Sequence, residues 1–135
     1  MASPTPQFSD DEEELVTGTV YRRIPDWPNY IDHASGKPRF IAFTPRPNDR
    51  GATSMLLKGM VREEDARTNF GKLTGRPFGL CEVDIAEALR ETSGMVSCWR
   101  RRGHYHVRLY GCADDAVAAI IASIAKVVPP SAPLA

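Results

Sequence analysis

A strict two-residue alternation runs through positions 104–110, and it restricts this part of the chain to an extended strand. Apolar side chains fall on one face of that strand and polar side chains on the other, which predicts that only one face packs on a core. The apolar set is Tyr105, Val107 and Leu109, and the polar set is His104, His106, Arg108 and Tyr110.

Other segments indicate more strands and two helices. Runs rich in β-branched or apolar residues at 15–24, 39–43, 53–57, 80–83 and 95–99 predict strands. Asp84, three residues before Glu87, fits a capping box and predicts one helix, and a second begins at Asp114 or Asp115 and continues to Val128. We therefore expect an α+β fold with a small, mostly antiparallel sheet of about five or six strands and two helices packed on one face.

The charge distribution divides the chain. Residues 10–14 are all acidic, and with the prolines and serines before them they predict a disordered acidic tail over residues 1–14. Residues 15–129 then form a single domain, and residues 130–135 a flexible C-terminus. The alternative for the tail is an acidic lid over a basic patch, or a docking segment for a partner.

Several classes of protein are disfavoured. No apolar run reaches the roughly 18 residues that a membrane span needs, so we expect no membrane association and a cytoplasmic location. Cys81, Cys98 and Cys112 show no CxxC spacing, which favours buried reduced thiols over disulfides or zinc. We expect neither a metal nor a cofactor.

Arginines beside an aromatic residue form the first candidate site. Arg100, Arg101 and Arg102 follow Trp99, and this combination suits phosphate contacts with stacking of a base. The alternative is an ordinary solvated turn, and a pI of 6.8 lacks the basic excess of a dedicated nucleic-acid binder. Arg108 shares the polar face of the next strand.

Histidines form the second candidate site. His104 and His106 could act as acid–base groups while neighbouring arginines hold a phosphate. A metal site is disfavoured because no third ligand follows their spacing. Arg22 and Arg23 end the first strand, where one is expected to pair with Asp26 or Asp32 and the other to face a pocket.

Five segments occur in the order VYRRI (20–24), GKPRFIAF (36–43), ATSMLL (52–57), FGL (78–80) and HVRLYG (106–111). This succession resembles a group of small bacterial proteins of unknown function, in which a YRRI-like strand precedes a G-x-RPSSAAF-like segment, an L-S-V strand, an FGL turn and a late Ala-His segment. Here Phe40 and Ile41 replace two serines of that pattern, and Tyr105 replaces its alanine. The resemblance implies a shared fold but no activity, and it directs attention to Arg22, Arg23, Phe43, Ser54 and His106.

Two functions follow from these features. The first is a small bacterial accessory protein that recognises a protein partner or an anionic ligand through an Arg/His-rich face and the 44–51 loop. The second is a small enzyme acting on a nucleotide or RNA phosphate, of the ribonuclease or nucleotidyl- or ADP-ribosyl-transfer type, with His106 or His104 as the acid–base group. Nucleic acid is an alternative partner, and the last helix, rich in Ala and Ile, offers a surface for a second copy.

Overall fold

A single antiparallel sheet organises the molecule, whose computed structural model describes residues 10–24 and 29–129. Its seven strands follow the spatial order β1-β5-β6-β3-β2-β4-β7, and every neighbouring pair is antiparallel. The strands are β1 (Glu12–Leu15), β2 (Thr19–Ile24), β3 (Ala52–Leu57), β4 (Gly79–Asp84), β5 (Ser97–Arg101), β6 (His106–Tyr110) and β7 (Lys126–Val128).

Within the described residues three short α-helices accompany the sheet: α1 (Glu63–Thr68), α2 (Ile85–Glu91) and α3 (Asp115–Ile124). The predicted caps are confirmed, because the Asp84 carboxylate accepts the Glu87 amide at 2.9 Å and the Asp114 carboxylate accepts the Ala116 amide at 2.9 Å. The α+β class with an antiparallel sheet is also confirmed, with seven strands and three helices in place of about five or six strands and two helices.

The two faces of the sheet differ in what covers them. The first face carries Val20, Val107 and Leu109 and forms the main core with α2, α3 and a 3-10 helix at Phe40–Phe43. The second face carries Tyr21, Leu56 and Leu80, and among the described helices α1 packs there, through Ala66. As predicted, Val107 and Leu109 are fully buried, but the prediction is wrong for Tyr105, which precedes β6 and packs with the second-face residues. The second face is therefore the more open one.

The predicted strand at 39–43 is wrong, because Phe40–Phe43 forms a 3-10 helix. Its consecutive residues Ala42 and Phe43 are both buried, whereas neighbours in a strand point to opposite faces. The buried Thr53 hydroxyl donates to the Phe43 carbonyl and ties this turn to β3. The element thus lies between β3 and α3 rather than in the sheet.

The end of the last predicted helix also differs from the structure. Helix α3 ends at Ile124, and Val128 belongs to β7, which pairs with β4. Only one side of α3 is buried, around Val117 and Ile121, while its small residues Ala116, Ala119 and Ser123 are exposed. Helix α3 is therefore not buried on more than one side. Packing of this helix on a second copy stays a prediction.

The acidic segment contributes more structure than its composition indicates. Residues 1–9 and 130–135 lie outside the described residues, but Glu12–Leu15 forms β1 and pairs with β5. The boundary predicted at residue 14 therefore differs from the structure. Composition favours disorder here, but ion pairs with arginines distant in sequence hold the segment in the sheet.

Candidate anion-binding cleft

A fork between β2 and β3 opens the sheet where the candidate site lies. These strands share only two residue pairs, Val20 with Leu57 and Tyr21 with Leu56, whereas β2 pairs with β4 over its whole length. Beyond Tyr21 the two backbones diverge. Arg22 fills this fork, with its Nε donating to the Ala42 carbonyl at 2.7 Å and its Nη1 to the Ser54 carbonyl at 2.9 Å.

Burial changes the electrostatics of Arg22. Desolvation, together with the nearby charge of Arg46, lowers the pKa of its guanidinium from 12.5 to about 10. The group still stays protonated at neutral pH. The fork thus holds a fixed positive charge that no carboxylate within the described ranges pairs at 4.0 Å or less.

Arg23 lies on the second face, because side chains alternate along a strand and Tyr21, two residues earlier, lies on that face. Its Nε donates to the Ala66 carbonyl at 2.6 Å, and its guanidinium lies over the rings of Phe70 and Phe78 at 5.6 and 5.8 Å from their centroids. Its Nη2 is buried without a hydrogen-bond partner among the residues described, and burial lowers the pKa of the group. The carboxylate pairing expected for Arg22 or Arg23 is not formed with Asp32, which binds Ala34 and Ser35; Asp26 lies outside the described residues.

The loop after α1 places an aromatic wall beside Arg23. Asn69 and Phe70 both have left-handed backbone angles, with φ of 52° and 57°. This conformation costs a residue with a Cβ about 1–2 kcal/mol, so the surrounding contacts must hold it. One such contact joins Phe70 to Tyr105, whose ring centroid lies 5.2 Å away at an interplanar angle of 52°.

His106 and Ser54 meet on the same face. His106 pairs in register with Leu56, and Ser54 lies two residues before Leu56 in β3, so the two polar side chains are diagonal neighbours. The distance from Ser54 Oγ to His106 Nε2 is 2.6 Å. The His106 amide donates to His104 Nδ1 at 3.3 Å, which links the two histidines.

The ionisation of His106 follows from these surroundings. Burial lowers its pKa below 6.5, the nearby His104 lowers it further, and the Asp49 carboxylate opposes the shift. The His106 ring is therefore neutral at pH 7. One of its two nitrogens is then free to accept a proton.

Together these residues line a cleft of about 550 Å³, which we call the cationic cleft. Four of its side chains are cations and one, Asp49, is a carboxylate. The cations are Arg22, Arg23, Arg46 and Lys72, and the aromatic walls are Tyr21, Phe70, Phe78 and Tyr105. Of these four cations, none forms a salt bridge with any residue that the structure describes.

The arginines after Trp99 lie elsewhere, against the acids of β1. Arg100 Nε is 2.6 Å from Glu13 Oε1, and Arg102 Nη1 is 3.7 Å from Glu13 Oε2. Arg101 pairs with Asp11 at 3.6 Å, and Arg108 pairs with Glu12. Trp99 faces Glu14 and Arg108 in register. Each of these arginines thus pairs with an acid within the fold, and none of them lines the cationic cleft.

A second hollow of about 420 Å³ adjoins the cleft and shares two residues with it, His104 and His106. Its remaining lining pairs acids with bases: Asp11, Glu12, Arg101 and Arg108. Its charges are balanced, so it attracts anions less than the cationic cleft does.

Sequence reasoning found part of this site. Arg22, Arg23, His104 and His106 lie together as cleft residues. Ser54 was indicated only by the resemblance to the bacterial group. Asp49, Phe70 and Lys72 were missed, because only the fold of the 44–51 and 69–72 loops brings them to the cleft.

The thiols take no part in this site. All three are buried, and burial raises the pKa of Cys81, Cys98 and Cys112 to about 12. Within residues 10–24 and 29–129 no group of three or more His, Cys, Asp or Glu side chains is arranged to hold a metal ion. No helix in the described part of the chain combines the length and apolarity of a transmembrane span.

Comparison with protein-family models, with curated proteins and with solved structures gives no match to this chain. The geometry of the cationic cleft is therefore the basis for a functional interpretation.

Proposed function

We propose that the protein is a small binding protein whose cationic cleft takes a ligand with a phosphate group and a planar ring, such as a mononucleotide. The observation that carries this proposal is the convergence of four cations without salt bridges and an aromatic wall around one concavity.

The charge supports an anionic ligand. Among its arginine, lysine and aspartate side chains, four cations and one carboxylate give the lining a net charge of +3. Two unit charges 4 Å apart attract by about 4 kcal/mol at an effective dielectric constant of 20, so a phosphate gains from several such neighbours. The planar fork of Arg46 suits two phosphate oxygens at once.

The aromatic residues support a planar ring. Phe70 and Tyr105 stand side by side at the rim, and Phe70 is 38% exposed, so part of its ring is accessible to a ligand. Stacking of a base on an aromatic side chain contributes about 1–3 kcal/mol. The cleft volume falls within the range of about 300–1,000 Å³ that is usual for small-molecule sites.

The same features favour a small ligand over a long polyanion. A nucleic-acid strand would need a continuous basic surface, but the acids at 11–13 pair with the arginines at 100–102 and 108. A protein partner would have to insert an acidic or phosphorylated side chain into the cleft. Both remain alternatives to the proposed ligand.

Isothermal titration calorimetry with AMP, adenosine and inorganic phosphate tests the proposal. We expect AMP to bind more tightly than either fragment, because only AMP uses both the cations and the aromatic wall. Arg46→Ala should weaken AMP binding about tenfold or more, the effect of losing one charged hydrogen bond. Arg62→Ala is the matched control, since Arg62 pairs with Asp65 on α1 and does not line the cleft.

Two results would contradict the proposal. One is AMP binding no tighter than adenosine and phosphate bind separately. The other is an equal affinity for AMP in the Arg46→Ala and Arg62→Ala variants.

A further inference from the structure

The Ser54 hydroxyl has the surroundings of a reactive group. Ser54 lies in the middle of β3, where its neighbours Thr53 and Met55 are buried, yet its own side chain is exposed to the cationic cleft. Its Oγ is 2.6 Å from His106 Nε2, within the distance over which a proton passes between a hydroxyl and an imidazole.

The acceptor is in the right protonation state for this transfer. Burial and the neighbouring His104 lower the pKa of His106, so the ring is neutral at pH 7. With the ring proton on Nδ1, the lone pair of Nε2 points at the serine hydroxyl. Lys72 and Arg46 line the same cleft, so the reacting group and the anion-binding groups share one space.

The backbone beneath the hydroxyl is also fixed. Arg22 Nη1 donates to the carbonyl of Ser54 itself at 2.9 Å, and Arg22 Nε is anchored on the Ala42 carbonyl. A guanidinium thus holds the serine in place and sets a positive charge beside the site of attack. Such a charge stabilises the extra negative charge that a phosphoryl group gains during transfer.

We infer that Ser54 and His106 form a nucleophile–base pair that hydrolyses a phosphate monoester bound in the cationic cleft, an inference that rests on the proposed function. In the first step Ser54 Oγ gives its proton to His106 Nε2 and bonds to phosphorus, while the bond from phosphorus to the leaving oxygen breaks. The leaving oxygen takes the proton from His106 and departs as an alcohol.

In the second step water attacks the phosphoserine and gives a proton to His106 Nε2. The bond from Oγ to phosphorus breaks, phosphate leaves, and Ser54 regains its proton from His106. The net reaction consumes one monoester and one water and produces one alcohol and one phosphate. It requires no other reactant.

The test combines turnover, trapping and binding. Phosphate release is measured with p-nitrophenyl phosphate and with ribonucleoside 5′-monophosphates, for the full chain and for Ser54→Ala, His106→Gln and the control Ser123→Ala on α3. We expect loss of turnover by about a hundredfold or more in the first two variants and none in the control. Acid quenching during turnover should leave a phosphoryl group on Ser54, located by mass spectrometry.

Calorimetry with AMP on the same variants, with thermal melts to confirm folding, separates this inference from the proposed function. Retained AMP binding with no turnover of any of these esters by the unaltered chain would overturn the inference and leave the proposed function standing. Turnover that survives Ser54→Ala and fails in His106→Gln would assign the attack to water and overturn the role of Ser54. If the unaltered chain neither binds AMP nor hydrolyses any of these esters, both proposals are refuted.

Discussion

Replacing Arg22 separates the two things that this side chain supplies, a charge and a fork of donors. Its two hydrogen bonds go to the carbonyls of Ala42 and Ser54, and a bond from a charged donor contributes about 1.5–3 kcal/mol, so R22M forfeits about 3–6 kcal/mol in gross terms. Burial opposes this gain. A guanidinium pKa lowered from 12.5 to about 10 corresponds to a cost of about 3 kcal/mol, which methionine does not incur.

The net expectation for R22M is therefore a loss of about 0–3 kcal/mol in the free energy of unfolding. Lysine retains the charge and its desolvation cost, but its single ammonium nitrogen cannot donate to both carbonyls with the geometry of the two guanidinium nitrogens. We thus expect R22K, despite its chemical similarity, to be at least as destabilised as R22M.

Urea unfolding followed by far-UV circular dichroism at pH 7 measures both variants against the unaltered chain, and a matched R62K variant tests an exposed arginine outside the fork. The reasoning is refuted if R22K is as stable as the unaltered chain while R22M is not. That result would mean that the charge matters here and the geometry of the guanidinium group does not.

Three further predictions follow from the packing and the charges. The His106 pKa is lowered in the folded state, so the unfolded chain binds more protons at this residue. The free energy of unfolding should therefore fall as the pH drops from about 7 through 6.5 and below. Urea titrations of H106Q should show less of this loss. L109A removes a fully buried side chain from the core and should cost about 2–5 kcal/mol in the same assay, whereas a loss below about 1 kcal/mol would mean that the core is not packed as described. E13Q breaks the partly buried pair with Arg100 and should cost about 0.5–1 kcal/mol at low salt and less at high salt. E87Q is the control and should change little, because its pair with Arg90 on α2 is more exposed.

Local patterns predicted the parts of the fold that depend on local physics. The alternation in β6 correctly placed Val107 and Leu109 in the core, and the caps at Asp84 and Asp114 correctly started α2 and α3. The 3-10 helix at Phe40–Phe43 was missed, since an apolar run of that length has no periodicity of its own and its conformation is set by packing on β3 and α3.

The candidate site divides in the same way. His106, Arg22 and Arg23 could be named from residue type, but the assembly of the cationic cleft depends on strand register and on loops that no spacing reveals. The arginines after Trp99 were predicted as an anion site because the sequence does not show which acids they contact. Glu13 and Arg100, which bind each other, are separated by 87 positions. Residue composition cannot show such a pairing.

The fork between β2 and β3 sets the shape of the cleft, whereas the side chains around it set its chemistry. Each strand keeps a full set of backbone partners on its other side, β2 with β4 and β3 with β6, so the opening is built into the course of the main chain. Side chains around its rim, such as Arg46 and Lys72, project from loops and can be exchanged without closing it. Substitutions at these loop positions can therefore change the charge of the cleft while the main chain keeps its shape.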